Sequence, residues 1–496
     1  MVIYRFLQKA LWLISLMLTA SVCLLNVFFS SAVASTGYET VTVFSHLLPG
    51  LLMVLLVGCF AGILFILRGS LEQLEEKKLF RLLTAIYSVM AVYLILNVDD
   101  TLRADAKTVF HTALEVKAGI YSAFQPGHYL YRYPHQLGLV LYDQILSVFS
   151  ENVRFVFLVN FLLVLGINRI IWKLSDELFH DRLTNTLTIL LGFAFLPQFF
   201  FILFAYSLIP GFFFMLLGFY HTVRYIRSAQ WPDMAVSILS VGMAVLLKQN
   251  FLIGGIAIGI VLFLQLLKEK KIRYLAMIAL VVSGMLLPAK GLKLCYETVS
   301  DTKLDNPSPT VLWIAMGTDI DNDVRGPGWY DSSSWNLYNA AVYDSELASD
   351  FGRLKLADNW KKIQAEPDRA GRFFLDKTIS QWCDPMYEST WSGPLEDCGQ
   401  YTHTDLLQSI YTGGSWASGI AGYLKLLCLA LWLFAAVFLV LRGRTEKGWE
   451  PMYLYFIGGL LFHTFWEGKS QYTYPYLFVL IPFAACAIRL CITREK

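Results

Sequence analysis

The chain has 496 residues, of which 56% are hydrophobic, 15% are aromatic and 16% are charged. Soluble domains carry about 25% charged residues, so this composition excludes an ordinary soluble protein and predicts an all-α polytopic membrane protein. The formal net charge of +2, without a long basic run, argues against nucleic acid as a partner.

Long apolar segments recur from one end of the chain to the other. A helix needs about 20 apolar residues to cross a membrane, and the predicted spans are 10–31, 42–67, 81–98, 154–172, 184–204, 206–223, 233–248, 249–267, 274–293, 417–441, 451–466 and 473–491. The first is longer than the hydrophobic part of a signal peptide, about 7 to 15 residues, so we interpret it as a retained signal anchor. Segment 137–149 is short and predicts a re-entrant helix, or else a thirteenth span.

The basic connections between spans predict the orientation. Lys and Arg are retained on the cytoplasmic side, and the basic clusters lie at 68–81, 224–227, 268–273 and 442–447. All four face inward only if both termini are cytoplasmic and residues 99–135 and 294–416 face outward. The absence of an Asn-x-Ser/Thr site favours a bacterial plasma membrane over the secretory pathway.

This topology predicts one membrane domain with two outer elements. Its parts are the N-terminal spans (1–98), a first outer loop with a surface helix and a re-entrant segment (99–150), core spans (151–293), a large outer loop (294–416) and C-terminal spans (417–496).

The first outer loop begins with clustered carboxylates, Asp99, Asp100 and Asp105. Residues 102–118 have the apolar spacing of a short amphipathic helix on the outer surface. Acidic residues at a helix start are explained by capping and by the helix dipole, and equally by a catalytic role.

Aromatic and amide side chains follow this helix in the stretch "YSAFQPGHYLYRYPHQLG". An aromatic belt at the membrane surface would explain them. A sugar-binding cleft would as well, because a pyranose has an apolar face and a rim of hydroxyls. The candidate sugar or acceptor contacts here are Tyr129, Tyr133, His135 and Gln136.

Two lysines lie where apolar segments end. Lys248, followed by Gln249, interrupts the run "LLKQNFLIGG", and an ionisable residue at membrane depth is a functional candidate unless it extends to the interface. A fixed ammonium there would stabilise a departing lipid phosphate, with Gln249 as a hydrogen-bond donor. Glu467 and Lys469 occupy a second such break, in "FHTFWEGKSQYTYPY".

The second outer loop, 294–416, predicts a loop followed by two or three short amphipathic helices. Its sequence "DIDNDVRG" lacks the glycine and glutamate of an EF-hand loop, so a solvated turn is the favoured interpretation. Cys383 and Cys398 share this loop, where an extracytoplasmic location would permit a disulfide.

A family resemblance joins these features. The order of apolar span, Asp at its outer end, surface helix, "YSAFQPGHYLYRYPHQLG" and re-entrant helix resembles the first outer loop of the GT-C integral-membrane glycosyltransferases, especially bacterial relatives of the protein-O-mannosyltransferases. The segments "FWEGKSQYTYPY" and "FFLDKTISQWCDPMY" are also similar to those relatives. The resemblance implies a GT-C fold with about 12 to 13 spans and a polyprenyl-phosphate-linked sugar donor.

The resemblance also implies roles for residues. An Asp of the first outer loop would be the catalytic base or would position the acceptor, and Asp105 matches it best, with Asp99 and Asp100 as competitors. Glu467 and Lys469 would contact the donor, Lys469 at its phosphate, and Trp382 would lie near the donor-side cavity. Some GT-C enzymes require a metal, so a divalent cation stays possible.

The sequence therefore predicts an inverting membrane glycosyltransferase that acts on the outer face. Its acceptor would be a glycan, a protein or a lipid. Two alternatives stay open, a polysaccharide polymerase or ligase that uses a diphosphate-linked donor, and a transporter of lipids or solutes.

Overall fold

The computed structural model describes residues 2–493. Met1, at the start of the predicted N-terminal spans, and residues 494–496, at the end of the predicted C-terminal spans, lie outside the described residues. The described residues form 22 α-helices and one two-stranded hairpin, which confirms the all-α class of a polytopic membrane protein.

The helices follow one another with short connections in most of the chain. They are α1 Val2–Phe28, α2 Leu47–Gln73, α3 Glu76–Leu96, α4 Ala104–Lys117, α5 Tyr129–Arg132, α6 Leu137–Phe149, α7 Val153–Phe179, α8 Arg182–Ala194, α9 Pro197–Phe200, α10 Leu208–Ser228, α11 Trp231–Leu247, α12 Leu252–Glu269, α13 Arg273–Ser300, α14 Val311–Gly317, α15 Ser333–Ala340, α16 Ser345–Ala365, α17 Pro367–Trp382, α18 Asp405–Tyr411, α19 Ser415–Leu441, α20 Glu450–Phe465, α21 Tyr474–Phe478 and α22 Ile481–Thr493. Short 3₁₀ turns lie at Ser122–Phe124, Pro134–Gln136, Phe201–Leu203, Gln249–Phe251, Glu396–Cys398 and Ser470–Tyr472.

Each of the twelve predicted spans contains a helix. Within residues 2–493, seven helices are long and apolar enough to cross a membrane. The number of candidate spans rises to nine if each of two bent helix pairs is counted as one span. The bent pairs are α8 with Pro197–Leu203 and Ser470–Phe478 with α22, each bent by 49°. The predicted total of 12 to 13 is not reached, in part because α11 and α20 have only 17 and 16 residues, and a helix rises about 1.5 Å per residue.

A β-hairpin occupies the end of the first predicted span and the start of the second. Strands β1 (Phe29–Val33) and β2 (Val41–Ser45) pair antiparallel, from Phe29 opposite Ser45 to Val33 opposite Val41. Their apolar residues were predicted as membrane helix. Val, Thr and Phe also favour a pleated, half-buried strand, and the hairpin connection brings Glu39 into a buried position.

The first outer loop folds largely as predicted. Val109, Ala113 and Val116 of α4 are buried, which confirms the apolar stripe, and α6 has the bounds of the predicted short helix. However, the stripe packs into a core cluster with Leu137 of α6 and Tyr296 of α13. The helix therefore rests on protein along this face.

The second outer loop contains more helix than predicted. α13 continues to Ser300, seven residues past the predicted end at 293, and α16 has 21 residues. The "DIDNDVRG" turn is held by ion pairs, since Asp319 lies 2.6 Å from Lys355 and Asp321 lies 2.8 Å from Lys362. Residues of this loop, mainly from its irregular segments and including Trp313 of α14, line one side of a cavity.

Candidate functional site

A cavity of about 570 Å³ lies between the two outer loops and three breaks in the helical bundle. The breaks separate α9 from α10, α11 from α12 and α20 from α21. The predicted site residues that line the cavity are Asp99, Asp105, Tyr129, Tyr133, His135, Gln136, Lys248, Gln249, Glu467 and Lys469. Asp100 and Trp382 are not among the lining residues.

Asp105 lies in the first turn of α4 and faces this cavity. No side-chain hydrogen bond caps this helix, and no ion pair joins Asp105 to another described residue. The surrounding protein raises the pKa of the Asp105 carboxyl, an effect that Lys469 and Arg132 partly oppose. A carboxylate with a raised pKa is a stronger base than one with the ordinary pKa of Asp.

The other two carboxylates of the predicted cluster lie in different surroundings. Asp99 accepts a hydrogen bond from the Tyr401 backbone N–H at 2.7 Å and lies 3.3 Å from His403 Nε2. It therefore ties the end of α3 to the second outer loop. Asp100 is exposed and lies outside the cavity lining.

Lys248 extends from the end of α11 over two aromatic rings. Its Nζ lies 4.7 Å from the ring centre of Tyr472 and 5.4 Å from that of Tyr206. Within residues 2–493, no carboxylate forms an ion pair with it. Burial, followed by repulsion from Lys469, lowers the pKa of Lys248 to about 8. Gln249 follows it and is open to the cavity.

Lys469, in contrast, is tightly paired. Its Nζ lies 2.7 Å from Oε1 of Glu39, which is 3% exposed. Burial alone would lower the pKa of Lys469, but Glu39, Glu388 and Glu467 raise it. Lys469 is therefore a fixed positive charge at the cavity wall.

A buried carboxyl group supports this pair from behind. Glu388 accepts hydrogen bonds from the Gln471 backbone N–H at 2.9 Å and from Ser470 Oγ at 3.2 Å. Burial and the neighbouring Glu39 raise the pKa of Glu388 well above its usual range. Burial also disfavours ionised Glu39, but Lys469 keeps its pKa below the usual value. The surroundings therefore favour the negative charge on Glu39 over one on Glu388.

Sequence reasoning missed Glu39 and Glu388. One signal for Glu39 was present, because the predicted topology places the connection between the first two spans on the same side as both outer loops. An acidic residue in so short a connection could have been added to the candidates. Glu388 carried no comparable signal, since its contacts depend on how the second outer loop folds.

Glu467 is 6% exposed and, among the described residues, has no ion-pair partner. Burial raises its pKa to about 7, against the opposing effect of Lys469. Glu467 is therefore only partly ionised near neutral pH, and it can donate or accept a hydrogen bond at the cavity wall.

Aromatic rings form much of the remaining wall. Tyr133 packs against Tyr129 at 5.2 Å, His135 at 5.7 Å and Trp313 at 5.6 Å between ring centres. Trp313 stacks on Trp466 with an interplanar angle of 4°. Gln136 donates a hydrogen bond to the Tyr206 hydroxyl. Such faces, with a few polar groups at their edges, suit a sugar ring.

Trp382 lies in the core instead of the cavity wall. It is 2% exposed and packs on Phe456, Tyr476 and Trp432, with ring centres 5.6 to 6.1 Å apart. The last turn of α17 is inserted between α19, α20 and α21, so Trp382 stabilises the packing of the outer loop on the bundle.

Metal and disulfide candidates show no clustering. Among residues 2–493, no three His, Cys, Asp or Glu side chains lie close enough together to hold a metal ion. Cys383 is a buried free thiol and Cys398 an exposed one.

Comparison with known proteins finds no family model that matches the chain and no curated protein similar to it.

Proposed function

We propose that this chain is a membrane glycosyltransferase of GT-C type. It transfers a sugar from a polyprenyl-phosphate-linked donor to an acceptor hydroxyl, with inversion, at the outer face of a bacterial plasma membrane. One observation carries the proposal: a carboxylate and an ammonium, Asp105 and Lys248, line the same aromatic-walled cavity, and neither has an ion-pair partner among the described residues.

The reaction follows from this arrangement. The acceptor oxygen attacks the anomeric carbon on the face opposite the phosphate, and the bond between that carbon and the phosphate oxygen breaks. Asp105 accepts the acceptor's proton as the new glycosidic bond forms. Its raised pKa suits it to this role, since a base is most effective when its pKa approaches the working pH.

The leaving group departs with the electron pair of the broken bond, as polyprenyl phosphate. Lys248 lies between two apolar helices, so a lipid tail can lie along the bundle while its phosphate reaches the ammonium. An unpaired cation in a low-dielectric site stabilises the developing charge. Gln249 adds a donor, and Lys469, held by Glu39, supplies a more distant positive potential.

The aromatic wall provides the sugar contacts. Tyr129 and Tyr133 would lie against the apolar face of the sugar ring, while His135, Gln136 and Glu467 would hydrogen-bond its hydroxyls. Bound in this way, the anomeric carbon is held between the acceptor and the leaving phosphate, and positioning supplies much of the rate enhancement.

The proposal is tested by transfer itself. Purified protein in lipid nanodiscs is supplied with polyprenyl-phosphate hexoses and pentoses and with extracts of cell-envelope acceptors, and the released polyprenyl phosphate is measured by mass spectrometry. We expect release with at least one donor, with loss of release in Asp105→Asn. No release by the wild-type protein across all donors, with and without added Mg²⁺ or Mn²⁺, would contradict the proposed class.

A diphosphate-linked donor is the second candidate. The observation that favours it is a set of arginines, Arg103, Arg132 and Arg325, which line the cavity in addition to the lysines. The same mass spectra separate the two donors, because the released lipid would carry one phosphate or two.

A further inference from the structure

Three cavity-lining arginines come from the outer loops. Arg103 precedes α4, Arg132 ends α5, and Arg325 lies in the loop between α14 and α15. We call them the outer arginines. None belongs to the predicted site, and the proposed transfer step does not use them.

Each outer arginine lies over at least one aromatic ring. Arg132 Cζ is 3.8 Å from the ring centre of Trp335 and 4.5 Å from that of Tyr133. Arg103 Cζ is 4.1 Å from the ring centre of Trp391, and Arg325 Cζ is 5.4 Å from that of Tyr330. Stacking of this kind fixes the guanidinium plane and leaves the N–H groups at its edge available.

Those N–H groups are not used within the described chain. No outer arginine forms an ion pair or a side-chain hydrogen bond with residues 2–493, and the Nε atoms of Arg103 and Arg132 are buried without a partner. A guanidinium has five donors arranged to match phosphate or carboxylate. All three side chains are partly buried, and charges withdrawn from water in proteins are normally paired, so three unpaired guanidinium groups around one cavity indicate an anion-binding site.

The charge balance of the cavity supports the same conclusion. Its basic lining residues are Arg103, Arg132, Lys248, Arg325 and Lys469, and its acidic ones are Glu39, Asp99, Asp105 and Glu467. Glu39 is paired with Lys469, and Asp99 is bonded to the second outer loop. Four cations then face only Asp105 and the partly ionised Glu467. One lipid phosphate at Lys248 does not balance this excess.

The outer arginines also differ from Lys248 in position. Lys248 lies between two apolar helices, α11 and α12, whereas the arginines and their aromatic partners Trp335, Trp391 and Tyr330 belong to outer-loop segments. An anion on the arginines therefore approaches from the outer-loop side of the cavity.

We propose that the outer arginines bind a second anionic group of the substrates, a phosphate or carboxylate distinct from the phosphate held by Lys248. The assignment rests on the proposed function for the identity of the first anion. The second anion belongs either to the acceptor, which would then be an anionic glycan or lipid, or to the second phosphate of a diphosphate donor.

Binding is measured without any transfer reaction. Full-length protein in phosphatidylcholine nanodiscs is saturated with a short-chain polyprenyl phosphate and titrated with inorganic phosphate by calorimetry at constant ionic strength. We expect wild-type protein to bind phosphate beside the lipid. Arg132→Gln should weaken that binding by at least about tenfold, because charge-assisted hydrogen bonds are lost, whereas Lys248→Met should weaken binding of the lipid and leave the added phosphate bound.

Matched variants guard against misfolding. Arg353→Gln removes an exposed arginine of α16 that pairs with Asp350, and phosphate binding should be unchanged. Arg132→Lys keeps the charge over the aromatic rings but loses the two-pronged contact, so it should fall between wild type and Arg132→Gln. A variant is used in this comparison only if its melting temperature and its elution volume in size-exclusion chromatography match those of the wild-type protein.

Polyprenyl diphosphate separates the two sources. If it displaces inorganic phosphate, and its own affinity falls in Arg132→Gln, the arginines bind the donor's second phosphate. If inorganic phosphate still binds beside the diphosphate, the arginines bind the acceptor. Either result supports a second anion site.

Two results would overturn the site: absence of phosphate binding to lipid-saturated wild-type protein, or equal binding by wild type and a variant with all three arginines changed to Gln. The transfer assay is separate. Phosphate binding without transfer would refute the proposed function and leave the anion site in place. Transfer without phosphate binding would refute the anion site and leave the proposed function in place.

Discussion

The two cavity lysines occupy the same local structure and have opposite surroundings. Each follows the end of an apolar helix, adopts an extended backbone (φ −151°, ψ 115° at Lys248 and φ −159°, ψ 131° at Lys469) and precedes a 3₁₀ turn. Lys469 is paired with buried Glu39, while Lys248 lies on Tyr472 and Tyr206.

The helix break therefore only places a lysine at the cavity. The neighbours decide its use. A lysine paired with a buried carboxylate contributes to stability and to the fixed field, and removing one partner leaves an uncompensated charge. A lysine on aromatic faces keeps its donors available to a ligand.

The largest effect is expected at the carboxylate that both lysines influence, Asp105. Asp105→Asn removes the proposed base, so the transfer rate should fall by about 10²- to 10⁴-fold in the polyprenyl phosphate release assay. Asp100→Asn is the matched control, because Asp100 is exposed and does not line the cavity. A release rate of wild-type size in Asp105→Asn would remove Asp105 from the mechanism.

Exchange of Lys469 should affect folding more than exchange of Lys248. Lys469→Met leaves Glu39 buried and unpaired, which costs about 3 to 5 kcal/mol of unfolding free energy. Lys248→Met breaks no ion pair and should cost much less. Intrinsic-fluorescence melting in detergent measures both.

The double variant Glu39→Gln/Lys469→Met provides the control for that comparison. It removes both charges, so it should melt well above Lys469→Met. If the two lysine variants melt at the same temperature, the assignment of a structural role to Lys469 and a ligand role to Lys248 is wrong.

The pH dependence of lipid binding also distinguishes the two lysines. Because the pKa of Lys248 is lowered to about 8, its ammonium is present below pH 8 and is lost as the pH rises through that value. Affinity for polyprenyl phosphate should therefore fall by up to about tenfold per pH unit above 8. Bound phosphate favours the ammonium, so binding should also take up protons in this range.

A variant that stays charged serves as the reference here. Lys248→Arg keeps its charge to much higher pH, so its affinity should not fall between pH 8 and 10. Lys469 has a raised pKa and should contribute no loss in this interval. A fall of equal size in wild type and Lys248→Arg would show that another group titrates.

Much of the architecture could be read from hydrophobic periodicity. The twelve apolar segments, the amphipathic helix at 102–118 and the short helix at 137–149 all contain helices in the structure. These features are local, because segment length and spacing determine them. The hairpin at 29–45 was missed since its valines and phenylalanines suit a strand and a membrane helix alike.

The candidate site could be predicted only in part, for a different physical reason. Lys248 stood out because an ionisable group between apolar runs is costly, whereas Asp105 and Lys469 were selected by the resemblance to the GT-C glycosyltransferases. Their partners lie far away in the chain. Glu39 is 430 positions from Lys469, and Trp382 looked like a cavity residue until the core around it was visible. Pairing of this kind depends on tertiary contacts that no local pattern encodes.

The smallest effect is expected at Asp99, which was grouped with Asp105 by sequence alone. Its carboxylate bonds to the Tyr401 backbone N–H and lies near His403, so Asp99→Asn should lower the unfolding free energy by about 0.5 to 1.5 kcal/mol. The transfer rate should change less than tenfold, in contrast to Asp105→Asn. Because Asn can still accept the backbone hydrogen bond, Asp99→Ala should destabilise more than Asp99→Asn. A loss of transfer as large as that of Asp105→Asn, at unchanged melting temperature, would instead make Asp99 the base.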